Sequence, residues 1–153
     1  MRRFTVVALL VVMAAVAAPA ALASDDSLRQ VVRDQATRQV KQDRKFTSAT
    51  KKINSRAKAK KARTATIRQQ KSVDAFRKAV RAEQADTDQV KAGRTQLLKG
   101  LALYNHGLDK LRTALTQAIR TNGRGGAASA RSALRTVKKA QKQIASGAQK
   151  ILG

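Results

Sequence analysis

Residues 97–118 read LLKGLALYNHGLDKLRTALTQA, and this stretch decides the fold. Large side chains recur in it at alternating spacings of four and three residues. Such a repeat of seven keeps one stripe of an α-helix facing one partner, as in a coiled coil. The stripe consists of Leu97, Leu101, Tyr104, Leu108, Leu111 and Leu115. The sequence therefore predicts a long helix that packs along one face.

A second helix follows after a turn. Residues 121–126 read TNGRGG, a combination that ends helices and forms turns. The repeat then resumes over residues 127–151, with larger inward positions at Leu134, Val137, Ile144 and Ile151. We predict that the two helices fold back on each other as an antiparallel hairpin.

Small residues form another stripe with the same repeat. Its members are Gly93, Gly100, Gly107 and Ala114 before the turn, and Ala133, Ala140 and Gly147 after it. A glycine inside a helix costs about 1 kcal/mol relative to alanine, so several in one helix indicate close approach of another backbone. Folding about the turn predicts that Gly100 meets Gly147 and that Gly107 meets Ala140.

Two helices alone leave much of each flank in water, so the hairpin needs further cover. A preceding helix can supply it through Val73, Phe76 and Val80, and so can a second copy of the chain. The predicted class is all-α, with long helices and a C-terminal coiled-coil-like hairpin that a three- or four-helix bundle would extend. The expected helices are 26–45, 49–84, 88–121 and 127–151, with breaks near 46 and 86; one long helix through either position is the alternative.

The N-terminus has the pattern of a cleaved signal peptide, residues 1–23. Arg2 and Arg3 precede the uncharged apolar run 6–18, and small residues stand before a cut at Ser24. An uncleaved membrane anchor is the alternative. We expect a secreted or cell-envelope protein.

Charge is the strongest functional signal. The chain has 33 Lys and Arg against 9 Asp and Glu, a formal net charge of +24 at pH 7. Residues 41–72 hold twelve of the basic residues and one acid, Asp43, with only three large apolar side chains. This contrast predicts a basic helical arm over residues 24–72, partly flexible, and a packed hairpin or bundle over residues 73–153.

Dense cations attract polyanions by releasing their counterions. The candidate contacts lie in the most basic segment: Lys51, Lys52, Arg56, Lys58, Lys60, Lys61 and Arg63. Because only 3% of the residues are aromatic, base stacking is not expected and any nucleic-acid binding should ignore sequence. The candidate partners are wall polymers, anionic lipid surfaces and nucleic acid, and a homo-oligomer is compatible with the hairpin.

The sequence offers few residues suited to catalysis, since the chain has one His, one Glu and no Cys. His106 falls on the outward side of its helix, and Asp86 and Asp88 fit helix caps better than metal ligands. We therefore expect no enzyme, no cofactor, no metal site and no small-molecule substrate.

The predicted function is an exported, non-enzymatic basic protein that contacts anionic polymers in a sequence-independent way. The alternative is a structural or interaction protein that self-associates or binds a partner through its hairpin, with incidental charge. A membrane-surface protein ranks last, because the basic segment lacks a wide apolar face.

Overall fold

Four long helices joined by short connections make up the described part of the chain. The computed structural model describes residues 23–122 and 125–153. The helices are α1 (Ala23–Thr50), α2 (Arg56–Ala82), α3 (Asp88–Arg120) and α4 (Ala127–Leu152). The all-α prediction is confirmed. Apart from the backbone of Ala23, the predicted signal peptide lies outside the described residues, as do residues 123 and 124 of the predicted turn.

Consecutive helices pack side by side and run antiparallel. The most extensive contact joins α3 to α4, followed by α2 with α3 and α1 with α2, and a smaller contact brings α4 back to α1. This order is that of an up-down-up-down four-helix bundle. The predicted α3–α4 hairpin is confirmed, and α1 and α2 of the same chain supply its cover.

The hairpin interlocks through its glycines. A methyl group added at Gly100 would lie 2.8 Å from the backbone nitrogen of Ile144 and 2.9 Å from its Cγ1. One added at Gly107 would lie 2.9 Å from Cγ2 of Val137. Each glycine therefore leaves the space that a branched side chain of the facing helix fills.

The predicted register of the hairpin is wrong by three residues. Gly100 lies opposite Ile144 rather than Gly147, and Gly147 lies against the backbone of Leu97. Gly107 likewise lies opposite Val137 rather than Ala140. The reason is that close-packed helices place large side chains into the gaps left by small ones, instead of aligning small with small.

Most of the predicted packing residues are buried. The buried members are Leu97, Gly100, Leu101, Tyr104, Gly107, Leu108, Leu111, Leu115, Val137, Ala140, Gly147 and Ile151. Leu134 and Ile144 are half-buried and pack against the same core.

The predicted separation of a basic arm, residues 24–72, from a packed end is not the arrangement in the structure. Leu28, Val32 and Phe46 of α1 belong to the same buried cluster as the hairpin. The first half of α2 also packs inward, because Ala59 and Ala62 are 0% exposed. Sequence reasoning missed this because it looked for large apolar residues.

The inward stripe of α2 in fact keeps the three-four spacing throughout. It runs through Ala59, Ala62, Thr66, Gln69, Val73, Phe76 and Val80. Small and polar residues occupy its first half and large apolar residues its second. A short side chain on the inner face lets the helices approach closely, while the lysines between these positions stay in water.

The first predicted helix break is in the wrong place, and the second is confirmed. Helix α1 continues past residue 46 to Thr50, because Phe46 points into the core and is 4% exposed. The chain turns at residues 51–55, where the Ser55 hydroxyl accepts a hydrogen bond from the backbone N–H of Lys58 at 3.3 Å. The second break falls at residues 83–87, as predicted near 86.

The second turn is held against the start of α1, where Ser24 and Ser27 donate hydrogen bonds to the acids of the turn, Asp86 and Glu83. The Asp25 carboxylate accepts hydrogen bonds from the backbone N–H of Asp86 at 2.7 Å and from the Thr87 hydroxyl at 2.7 Å. Thr87 is the N-cap residue of α3, one of the two residues, Asp86 and Thr87, that the sequence predicts at this position. Asp25 satisfies backbone donors of the turn from a neighbouring helix.

Candidate polyanion-binding groove

A partly buried polar layer crosses the bundle near its middle. The Asp43 carboxylate of α1 accepts hydrogen bonds from the Tyr104 hydroxyl at 3.0 Å and from the Gln69 amide nitrogen at 2.5 Å. The same amide nitrogen donates to the Tyr104 hydroxyl at 3.1 Å, and Gln141 of α4 adjoins Tyr104. Each helix thus contributes one residue to the layer.

Burial governs the ionisation of this layer. It raises the pKa of the Asp43 carboxyl above its ordinary value, although hydrogen bonds from Tyr104, Gln39 and Gln69 oppose the rise. Burial and the neighbouring Asp43 charge raise the pKa of Tyr104, which stays a neutral hydrogen-bond donor. The layer therefore orients α1 against α2 and α3 at the point where the basic region begins.

The layer separates two ends of different charge. We call residues 44–68, 105–122 and 125–140 the basic end, and residues 24–42, 70–103 and 142–153 the mixed end. The basic end holds 17 Lys and Arg and a single acid, Asp109, whereas the mixed end holds 13 basic and 7 acidic residues. Folding thus brings cations of α3 and α4 to the same end as those of the predicted basic segment.

A groove of about 960 Å³ lies between α1 and α2 at the basic end. The last turns of α1, the connection and the first turns of α2 form its walls. Seven cationic side chains line it: Arg44, Lys45, Lys51, Lys52, Lys58, Lys61 and Arg68. Among the described residues that line this α1/α2 groove, none is acidic, and Gln42, Ser48 and Thr64 supply neutral polar groups.

Four of the seven predicted polyanion contacts line this groove, namely Lys51, Lys52, Lys58 and Lys61. The other three, Arg56, Lys60 and Arg63, do not, and all seven are exposed. The structure therefore divides a set that the sequence presented as one segment.

Sequence reasoning missed three cations of the groove. Arg68 follows Lys58 and Lys61 at spacings of ten and seven residues, so helical periodicity places all three on one side of α2. That signal was available. Arg44 and Lys45 join them only because α1 continues past Phe46 and docks antiparallel to α2, which local sequence did not reveal.

A smaller groove of about 370 Å³ lies between α2 and α3. Its lining residues are Arg63, Arg112, Thr113, Thr116, Gln117 and Arg120. The Arg63 Nε donates to the Thr116 hydroxyl at 3.2 Å, which ties the guanidinium to α3. This α2/α3 groove adds three more cations on the opposite side of α2.

Both grooves are lined mainly by cationic and neutral polar side chains. Phe46, the aromatic residue lining the α1/α2 groove, is 4% exposed and presents no face for base stacking. Residues 23–122 and 125–153 contain no group of three or more His, Cys, Asp or Glu side chains that could hold a metal ion. His106 is exposed, as the sequence predicts.

None of the helices in the described residues is long and apolar enough to cross a membrane. Comparison of the chain with known protein families, with curated proteins and with solved structures finds no match.

Proposed function

We propose that this chain is an exported, non-enzymatic protein that binds anionic polymers through the α1/α2 groove without reading their sequence. The observation that carries the proposal is the set of seven Lys and Arg side chains on one groove whose described lining includes no acid. Export rests on the signal-peptide pattern of residues 1–23.

The physical basis is mutual charge neutralisation. Seven like charges that face one groove repel each other, and a polyanion relieves that repulsion while its own condensed counterions are released. Lysine ammonium groups on flexible stems suit phosphates or carboxylates at irregular spacings. The Ser48 hydroxyl adds a neutral donor for the same anionic groups.

The alternative, assembly through the hairpin, has less support. Its apolar stripes are already occupied within the chain, since α3 packs on α4 and on α2. A second copy would therefore have to use the half-buried flanks. Sedimentation of the protein at several concentrations tests this alternative, and a concentration-dependent dimer with salt-independent stability would favour it.

The test is a binding series with a matched control. Duplex DNA, an anionic wall polymer and anionic vesicles are each titrated with the chain from Ser24 onward across a range of salt concentrations. The groove variant changes Lys51, Lys52, Lys58 and Lys61 to Gln. The control variant removes the same charge from exposed lysines of the mixed end, Lys71, Lys78, Lys99 and Lys142.

For DNA, the logarithm of the association constant should fall linearly with the logarithm of the salt concentration. The magnitude of this slope should be smaller by about 3–4 in the groove variant, because each phosphate contact contributes about 0.9. The control variant should keep nearly the whole slope. Equal losses in both variants, or binding that persists unchanged at high salt, would contradict the proposal.

A further inference from the structure

The two grooves flank the same segment of α2. The α1/α2 groove uses Lys58, Lys61 and Arg68 of this helix, a stretch of about 15 Å at 1.5 Å per residue. The α2/α3 groove uses Arg63, which lies midway along that stretch. The grooves are therefore at the same level of the bundle, on opposite sides of one helix.

Cations also cover the outward surface between the grooves. From Lys61, the side chain of Lys60 lies about 100° around the helix, and Arg63 lies about 60° further in the same direction. Arg56 precedes Lys60 by four residues and Arg63 by seven, so it belongs to the same side. The three predicted contacts that do not line the α1/α2 groove thus continue from it toward the α2/α3 groove.

We infer that the two grooves and the outward surface of α2 between them form one continuous track for a single linear polyanion. This inference rests on the proposed function and specifies its ligand. The ligand is a flexible chain whose charges repeat along its backbone and whose length exceeds the width of a helix, about 10–12 Å with side chains. A short anion occupies one groove only.

The shape of the track favours a polymer over a lipid surface. Lys61 and Arg63 are two residues apart on a helix, so their side chains leave its axis about 160° apart. A flat bilayer cannot contact both sides of α2 at once, whereas a flexible chain can bend over the helix. Among the described residues, the track also exposes few apolar side chains that could insert among lipids, because Phe46 is buried.

The test compares inorganic tripolyphosphate with a polyphosphate of about 20 phosphates, a chain that exceeds the width of a helix. One variant removes the α3 cations of the second groove, Arg112→Gln with Arg120→Gln. Another removes two cations of the first groove, Lys58→Gln with Lys61→Gln. The matched control is Lys78→Gln with Lys99→Gln at the mixed end, and circular dichroism verifies the helical content of each variant.

We expect one long polyphosphate per protein, bound more weakly by about tenfold in either groove variant, with a salt slope reduced in magnitude by about 1–2. Tripolyphosphate affinity should fall in the first-groove variant and stay within about twofold of wild type in the second-groove variant. Anionic vesicles should also bind the second-groove variant like wild type.

Three outcomes would overturn the track. They are unchanged long-polymer binding by the second-groove variant, two long chains bound per protein, and equal losses in the mixed-end control. In the first two cases salt-dependent binding through the first groove would survive, so the proposed function would stand, whereas equal losses in the mixed-end control would contradict the proposed function as well. Absence of salt-dependent binding to every polyanion would instead remove both.

Discussion

The α3–α4 hairpin and the α1–α2 pair solve the packing problem in different ways. In the hairpin, branched side chains pack against glycines of the facing helix, and the inward stripe of α3 is almost wholly apolar. The inward stripe of α2 begins with Ala59 and Ala62, and the α1–α2 contact includes hydrogen bonds from Gln69 to Asp43 and from Ser72 to Gln39. The cationic groove lies on the second pair.

This difference indicates a division between scaffold and binding surface. Apolar burial stabilises by roughly 25 cal/mol per Å², so we expect the hairpin, which holds most of the largest fully buried side chains, to supply the larger share of the folding free energy. The α1–α2 pair carries the mutual repulsion of the groove cations and has less apolar contact to offset it. Four sets of substitutions test the contrast, in order of expected effect.

The largest effect should come from truncating the hairpin core. Leu108 is fully buried in α3, so Leu108→Ala should lower the free energy of unfolding by about 3–5 kcal/mol through lost burial and a residual cavity. Leu28 is equally buried but lies near the first turn of α1, where the helix end can relax into the space. Leu28→Ala should therefore cost less, and chemical denaturation of both variants measures the difference. Equal losses would remove the distinction between the two pairs.

A methyl group at Gly100 tests the interlock directly. Helix propensity alone predicts that Gly100→Ala stabilises by about 1 kcal/mol. The added carbon would lie 2.8 Å from the Ile144 nitrogen, which is backbone and cannot rotate away. We expect a net loss of about 1–3 kcal/mol, typical of overpacking. Thermal unfolding gives the sign, and a stabilised variant would show that the helices can separate without cost.

The pH dependence of stability distinguishes two carboxylates of α1. The pKa of Asp43 is raised in the folded state. Asp43 therefore contributes fully to the free energy of unfolding below pH 3.8, its ordinary pKa, and this contribution is lost as the pH rises through the folded-state pKa. Asp43→Asn removes the carboxyl group whose ionisation lowers the stability, and the asparagine oxygen can still accept the hydrogen bond from the Tyr104 hydroxyl. The variant should be more stable than wild type at neutral pH.

Asp25 serves as the comparison with the opposite sign. Burial alone would raise its pKa, but hydrogen bonds from Thr87 and Asp86 and the charge of Arg29 lower it overall. The contribution of Asp25 to the free energy of unfolding is fully present above pH 3.8, its ordinary pKa, and is lost as the pH falls through the folded-state pKa. Asp25→Asn should therefore flatten the acid limb of the stability profile. Urea midpoints across pH for both variants measure this, and profiles that move in the same direction would contradict it.

The smallest effect should come from relieving the groove itself. Without a bound polyanion, Lys58→Gln with Lys61→Gln removes two mutually repelling charges and should raise the free energy of unfolding by a few tenths of a kcal/mol at low salt. Added salt should erase the gain, because screening acts on exposed charges. The matched pair Lys78→Gln with Lys99→Gln should show less. A loss of stability in the groove variant would mean that these lysines contribute to packing.

The sequence by itself determined the helical class, the turn near residue 86, the hairpin and the concentration of cations. These follow from local information, since the apolar repeat around Leu108 and the turn residues of 121–126 act within one or two helices. Tertiary structure decided the three-residue shift of the hairpin, because only facing side chains determine which gap Ile144 fills. It also decided that Arg44 and Lys45 share a groove with Lys58, since charges distant in sequence meet only when α1 docks antiparallel to α2.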